Sequence, residues 1–443
     1  MKKILFGLWA FLMATFAVVA SIYPAATVAA ATARVHELAR GIFFGPTQLE
    51  AGRFNGALTL TGLIPVIYQA MEIVSRELVG FIGAVSRDSS AERAAVNQVV
   101  MSPVVGPMTA EDILPAAFAA DTPTQTIGNV QMTIQRARSV PFGVTGEEFK
   151  GLQNAGTYDT INRDRIAQAL RTLSNEVETD LAALHVAASR AYGTAAGTLF
   201  GTAADLTDLA QTRRILDDNG VPQSDLHLVL GSSPIANIRG KQSNLFKVNE
   251  AGSSDLLRFG VIGDIEGFAV HNSGQIRVTA AVGTAAASTV NATGYAVGAT
   301  TLGLSVIGTG SILAGDIVTF AGDTNQYVVA VGDADVSNGG TIVLAEPGLR
   351  VAMSAATKAI TVIAATARNM AFHRSAIQLA TRAPAMPPGG DAADDMMLVT
   401  DPVSGITYEF LIYRQKRQIR YEVNLAWGVK MVAPRHAALL IGA

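Results

Sequence analysis

The sequence predicts an α+β chain built from several parts. Three observations carry this. Apolar residues recur at helical spacing over a long stretch, Ile161 to Tyr192; Ala280 to Ala365 is rich in Ala, Gly, Thr, Ser and Val with short strand patterns; and two long strand patterns stand close to the C terminus. The length of 443 residues corresponds to about three domains. Charged residues make up 16% of the chain and hydrophobic ones 49%, whereas an ordinary soluble domain is about a quarter charged. Mean hydropathy is +0.31 and the pI about 6.1. Much of the surface is therefore expected to be covered. Past the N-terminal segment no apolar run is long enough to span a bilayer, so the expected cover is protein and the expected behaviour is assembly. The formal charge of −3 argues against a chain whose main task is neutralising phosphates. Without cysteine, disulfides, thiolate metal sites and cysteine catalysis are excluded.

Residues Met1 to Ala33 read as an export signal: Lys2 and Lys3, an apolar run from Ile4 to Ala20, and small-residue cleavage candidates ending at Ala31 or Ala33. Arg34 to Leu58 has no clear period. From Leu63 to Val85, Ile67, Met71, Val74, Leu78 and Phe81 or Ile82 mark an amphipathic helix preceded by Pro65, an N-terminal arm over residues 58–98. Between Val99 and Val144 the prolines at 103, 107, 115, 123 and 141 forbid long helices. Val130, Met132 and Ile134 alternate with Gln131, Thr133 and Gln135, which reads as an extended hairpin (99–146) whose apolar side chains lie on a neighbouring molecule.

The long helix follows, with Ile166, Leu170, Leu173, Val177, Leu181, Leu184 and Ala188 on one stripe, Asp159 or Thr160 as cap and Gly193 as stop. It would run about 45 Å. Asp205 to Asn219 is a second amphipathic helix, closed by Gly220, and Leu226 to Leu230 a strand; with a short helix around Ile235 to Ile238 and apolar segments at Phe259 to Ile262 and Phe268 to Val270 they form an α/β layer (201–279). Composition changes at Ala280. Short β runs at Ile317 to Phe320, Tyr327 to Val331, Thr341 to Leu344 and Ile360 to Ile363, parted by Gly and Asp turns, predict a small antiparallel barrel inserted at 280–365. The α/β pattern resumes over 366–396. Residues 397–443 hold strands at Ile406 to Tyr413, Gln418 to Val432 and Ala437 to Ile441.

Catalytic constellations are missing from the sequence. The six histidines (36, 185, 227, 271, 373, 436) are scattered, without metal-ligand spacing, and read as satisfied surface or core residues. No nucleophile elbow, phosphate loop or dinucleotide fingerprint occurs. No enzyme, cofactor, metal site or small-molecule substrate is expected. The concentrated charge run is Arg414, Lys416, Arg417 and Arg420; on a strand Arg414, Lys416 and Arg420 would share one face. That face is a candidate for packaged nucleic acid or a partner's carboxylates, or it is simply solvated or intersubunit.

Four stretches stand out in this order of parts: Leu63-Ile64-Pro65-x-x-Tyr68 with Arg76-Glu77-Leu78, Ala314-Gly315-Asp316-Ile317-Val318-Thr319-Phe320-Ala321-Gly322, Asn369-Met370-Ala371-Phe372-His373-Arg374, and Trp427-Gly428-Val429 with Pro434-Arg435. With them the chain resembles the major capsid protein of tailed bacteriophages, the Hong Kong phage fold, in the short-tailed-phage coat type with an inserted β-domain. The likeness covers about Leu58 to Ala443. The resemblance implies that the hairpin is the extended loop reaching a neighbour. The long helix (147–200) becomes the spine helix of a peripheral domain completed by the last strands, and the α/β part the axial domain. The implied function is an icosahedral shell around double-stranded DNA bound without sequence specificity. Implied partners are copies of itself in hexamers and pentamers, and scaffolding and portal proteins. The implied location is the virion capsid, assembled in the host bacterial cytoplasm. Residues 1–57 fall outside the pattern and conflict with it, so the mature subunit is expected to start between about Arg34 and Leu60 without export. No lysine lies between Val99 and Phe149, which leaves loop cross-linking unsupported. An exported surface-layer or adhesion protein is the alternative reading, favoured by the N-terminal segment and the Ala/Thr/Gly-rich barrel.

Overall fold

The computed structural model describes residues 60–75, 80–105, 127–154, 156, 158–241, 262–278, 282–402 and 404–442. The export-like segment 1–57, residues 58–59 and 76–79 of the arm, residues 106–126 of the hairpin segment and the apolar segment at 259–261 lie outside the described residues. The chain divides at Pro65 into two compact units. Of the first, the described residues open helix α1 (Leu60–Ser75); every later element belongs to the second.

In α1, Ile67, Ala70 and Met71 are buried at helical spacing, and Pro65 falls inside the helix instead of leading it. A one-turn helix α2 (Phe81–Ala84) then turns the chain into β1 (Ser86–Ala94). β2 (Val99–Val105) and β3 (Ile127–Thr133) form a two-stranded sheet of their own, paired from Val99↔Thr133 to Val105↔Ile127. The expected hairpin ran on to Val144, but β4 (Arg136–Thr145) instead joins a larger sheet. The chain turns at Ile134, which is fully buried, and β4 gains a ten-residue ladder on a strand near the C terminus. Pro141 is tolerated there because β4 is an edge strand whose other side needs no donor.

After α3 (Gly146–Asn154) comes the long helix α4 (Tyr158–Ala182), about 37 Å at the standard rise. Ile166, Leu170, Leu173, Val177 and Leu181 are all buried along it. The helix stops short of Tyr192: Ala183–Ala187 is a 3-10 turn, and β5 (Arg190–Gly193) is a strand. Alanine-rich sequence at 182–188 carries little information about where a helix ends. Arg190, Ala191 and Tyr192 find parallel partners in the C-terminal strand, and that pairing wins over one more helical turn.

Helix α5 (Thr207–Asp218), strand β6 (Leu226–Leu230), helix α6 (Ser232–Lys241) and the short hairpin β7 (Asp264–Ile265) and β8 (Phe268–Asn272) come next. Then β9 (Thr289–Val290), β10 (Thr301–Leu304), β11 (Ile317–Phe320), β12 (Gln326–Val331), β13 (Gly340–Leu344) and β14 (Lys358–Val362) pair in the order β11-β14-β9-β10-β13-β12, and β12 pairs back to β11. Six strands thus close a ring around Leu302, Val318, Phe320, Tyr327, Ile342 and Ile360, which removes free edges. β15 (Arg368–His373), β16 (Ile377–Pro384), β17 (Asp395–Thr400), β18 (Thr407–Gln415), β19 (Gln418–Met431) and β20 (Ala437–Ile441) complete the chain.

Two sheets result. The first runs β1-β16-β19-β18-β17, with β4 also on β19, and α4 packs on β19 and β4. The second continues from the ring through β12-β5-β20-β15-β6-β8-β7. Leu209, Ile215 and Leu216 of α5 and Ile235 and Ile238 of α6 bury its flank with Leu226, Leu228 and Leu440.

Candidate functional site: a helix on a sheet, a basic hairpin and a histidine cluster

Polar bonds fix the orientation of α4 on the first sheet. Trp427 is wholly buried, and its indole N–H donates to Asp180 Oδ2 at 2.9 Å. The same oxygen takes the Arg136 guanidinium at 3.0 Å, and one helical turn earlier Glu176 takes Arg138 at 3.3 Å. On the same helix, the hydroxyls of Ser174 and Tyr408 lie 3.1 Å apart, and those of Tyr158 and Tyr421 3.4 Å. Carboxylates at 176 and 180 are one helical turn apart and reach two β4 arginines two residues apart on one face. Beside Trp427, Gly428 lets the chain pass: a Cβ there would sit 2.2 Å from the Thr133 carbonyl oxygen.

A second clamp holds α2. Glu178 is completely buried; it accepts from the Ile82 backbone N–H at 2.8 Å and the Ser273 hydroxyl at 2.9 Å. Burial raises its pKa above the ordinary carboxylate value, against the pull of the Ile82, Phe81 and Gly80 N–H groups and Ser273, which lower it. Gly80 is required at that corner, because a Cβ would come within 2.8 Å of the Asn272 carbonyl oxygen. Strand β1 is pinned next: Arg93 reaches buried Glu409 at 2.6 Å, and Arg382 reaches Asp88 at 2.9 Å.

The basic run does not form one face. Lys416 and Arg417 are the two-residue turn between β18 and β19, Arg417 with φ of 58°. The chain reverses there, so Arg414 stands opposite Ile419 and Arg420 opposite Tyr413; adjacent positions of a ladder alternate faces, and Arg414 and Arg420 point to opposite sides. Each has a carboxylate: Asp394 for Arg414 at 3.9 Å, Glu422 for Arg420 at 2.8 Å. The expected hairpin contacts are also corrected. Met132 and Ile134 are buried within this chain against Ala94, Ala380 and Ala426, because strand pairing brings β1, β16 and β19 around them, and Val130 is half-buried. Among the described residues of the hairpin, Val99 and Met101 face outward.

Four of the histidines, 227, 271, 373 and 436, meet in space, whereas His185 bonds the Ala182 carbonyl and His36 lies outside the described residues. His227 Nδ1 lies 3.0 Å from His271 Nε2, and His227 Nε2 lies 3.0 Å from Asp225 Oδ1 and 3.1 Å from the Arg374 guanidinium. Arg374 also bonds Asp225 at 3.0 Å, and the rings of His373 and His436 meet edge to face at 6.1 Å. β6, β8 and β15 are adjacent strands; what sequence reading lacked was their order, although His227 sits inside the strand pattern Leu226 to Leu230 and His271 directly follows the apolar segment Phe268 to Val270. Ser375 Oγ is 2.8 Å from His373 Nδ1, but that nitrogen also accepts the Ser375 N–H at 3.2 Å, a capping geometry and not a nucleophile with its base. Among the described residues no group of three or more His, Asp or Glu could hold a metal ion, and no helix is long and apolar enough to cross a membrane.

No family model matches the chain, and no curated protein matches it. Among solved structures, it is similar to one from Mycobacterium phage Che8 (16% identity, TM-score 0.41, 78% of this chain and 84% of that one). It is also similar to the capsid of cyanophage P-SCSP1u (11%, 0.41, 82% and 88%) and the mature capsid of bacteriophage PhiM1 (12%, 0.41, 81% and 85%).

Proposed function

We propose that this chain is a major capsid protein, a structural subunit that assembles with copies of itself into the icosahedral shell of a tailed bacteriophage or prophage around double-stranded DNA. The observation that carries the reading is a long helix bolted along a sheet through Asp180, Arg136 and Trp427, with a separate two-stranded hairpin inserted in the chain between β1 and β4, two strands of that sheet. In this reading α4 is the spine helix and the β2–β3 ribbon the extended loop. The α5–α6 layer is the axial domain, and the six-stranded ring is its inserted β-domain. The low charge of the chain supports extensive cover by neighbours. Hexamers and pentamers, scaffolding and portal proteins and packaged DNA are the corresponding partners, and the virion, assembled in the bacterial cytoplasm, the corresponding location. Electron microscopy of the purified protein tests the proposal: closed icosahedral particles are expected. Flat arrays or envelope-bound material would overturn it in favour of an exported surface-layer protein.

A further inference from the structure

We infer that the His227–His271 contact is an acid-sensitive latch that holds the β7–β8 edge of the second sheet and releases it when both rings carry protons. Among the described residues β7 is the last strand of that sheet, and β8 is held on its inner side by β6 alone. The two rings face each other across the β6–β8 pairing, His227 opposite Ala269 and His271 opposite Val229. An imidazole pair at 3.0 Å needs one N–H and one bare nitrogen. Arg374 can only donate and Asp225 only accepts, so in the neutral pair His227 Nδ1–H donates to His271 Nε2, the bare Nε2 of His227 accepts from Arg374, and the Asp225 carboxylate beside it is held by Arg374.

A first proton on His227 Nε2 can still turn toward Asp225. A second, on His271 Nε2, sets two N–H groups against each other. It also sets three cations, His227, His271 and Arg374, beside one another, with Asp225 the acid at His227 and Arg374, Asp264 of β7 the acid near His271, and His373 a further base near His227. Phe372 closes the remaining side with an apolar ring 6.3 Å from His227. Burial holds both His227 and His271 below the ordinary histidine value. The unfolded chain therefore binds these protons first, so the latch contributes fully above about pH 6.5 and weakens as pH falls below it. β8 is the element able to move, because β6 is held on its other side by β15.

Amide hydrogen exchange on the full chain, corrected for intrinsic rates and followed by mass spectrometry, tests this. Between about pH 7 and about pH 5, protection of Phe268–Asn272 should fall at least about tenfold while that of β15 and β20 holds. His271→Gln keeps a donor and an acceptor but does not titrate, and should abolish the response. Unchanged protection of β8 in the unaltered protein, an equal loss in β15 and β20, or a full response in His271→Gln would each overturn the latch; the first two readings need no variant.

Discussion

The backbone N–H of Ile82 donates to Oε1 of Glu178 at 2.8 Å across 96 residues of sequence. A carboxylate close to the C-terminal end of the long helix thereby caps a one-turn helix that could not stand by itself, since isolated short helices are unstable in water. Helix α2, which leads into β1, is seated on α4 by this contact.

Replacing Glu178 by Ala leaves the N–H groups at the start of α2 buried without an acceptor. The expected cost is about 2–3 kcal/mol, with faster amide exchange at Phe81–Ala84 as the local signature. The sign of the pH dependence comes from the raised pKa. Folded Glu178 holds its proton more tightly than unfolded, so stability from this group is greatest in acid and declines as pH rises past the ordinary carboxylate value. Denaturation midpoints measured across the acid range should lose that slope in Glu178→Gln.

Trp427→Phe keeps the ring in the core but removes the donor to Asp180. About 1–2 kcal/mol should be lost by chemical denaturation, and Trp427→Ala should cost about 3–5 kcal/mol. An unchanged midpoint in both would contradict the role assigned to the helix-to-sheet bolt.

Ile134→Ala and Met101→Ser separate folding from assembly. Ile134 is fully buried and Met101 largely exposed. The first should destabilise the monomer by about 2–4 kcal/mol. The second should leave stability within about 0.5 kcal/mol and reduce particle yield. Deleting 109–126 retains Met132 and Ile134 in their core, so a folded subunit that no longer builds shells is expected from sedimentation and circular dichroism.

Neutralising Arg414 and Arg420 together should change stability by less than about 1 kcal/mol, because exposed ion pairs contribute little. Salt-dependent assembly or DNA retention is the informative measurement. If neither moves, the hairpin end is a solvated turn.

Residues 280–365 expressed alone should give dispersed amide resonances, since the core of the ring is built from its own strands. The contact most exposed to that excision is β12 with Arg190 and Ala191 of β5. A collapsed, undispersed spectrum would show that β5 is needed to complete the ring.

Local periodicity determined much of this molecule. The buried stripe Ile166 to Leu181, the strands at Leu226–Leu230, Ile317–Phe320 and Ala437–Ile441, and the helix closed by Gly220 are written in residue spacing and turn chemistry, which act over a few positions and are readable there. Tertiary structure decided the rest, because pairing between distant strands is not encoded in either strand alone. It ended α4 at Ala182 by giving Arg190 to Tyr192 sheet partners, took β4 out of the hairpin and onto β19, and buried Met132 and Ile134 at home. It also folded the basic run around a turn, and brought His227, His271, His373 and His436 from four separate segments to one corner. In each case long-range burial and hydrogen bonding outweighed a local preference worth less than about 1 kcal/mol per residue.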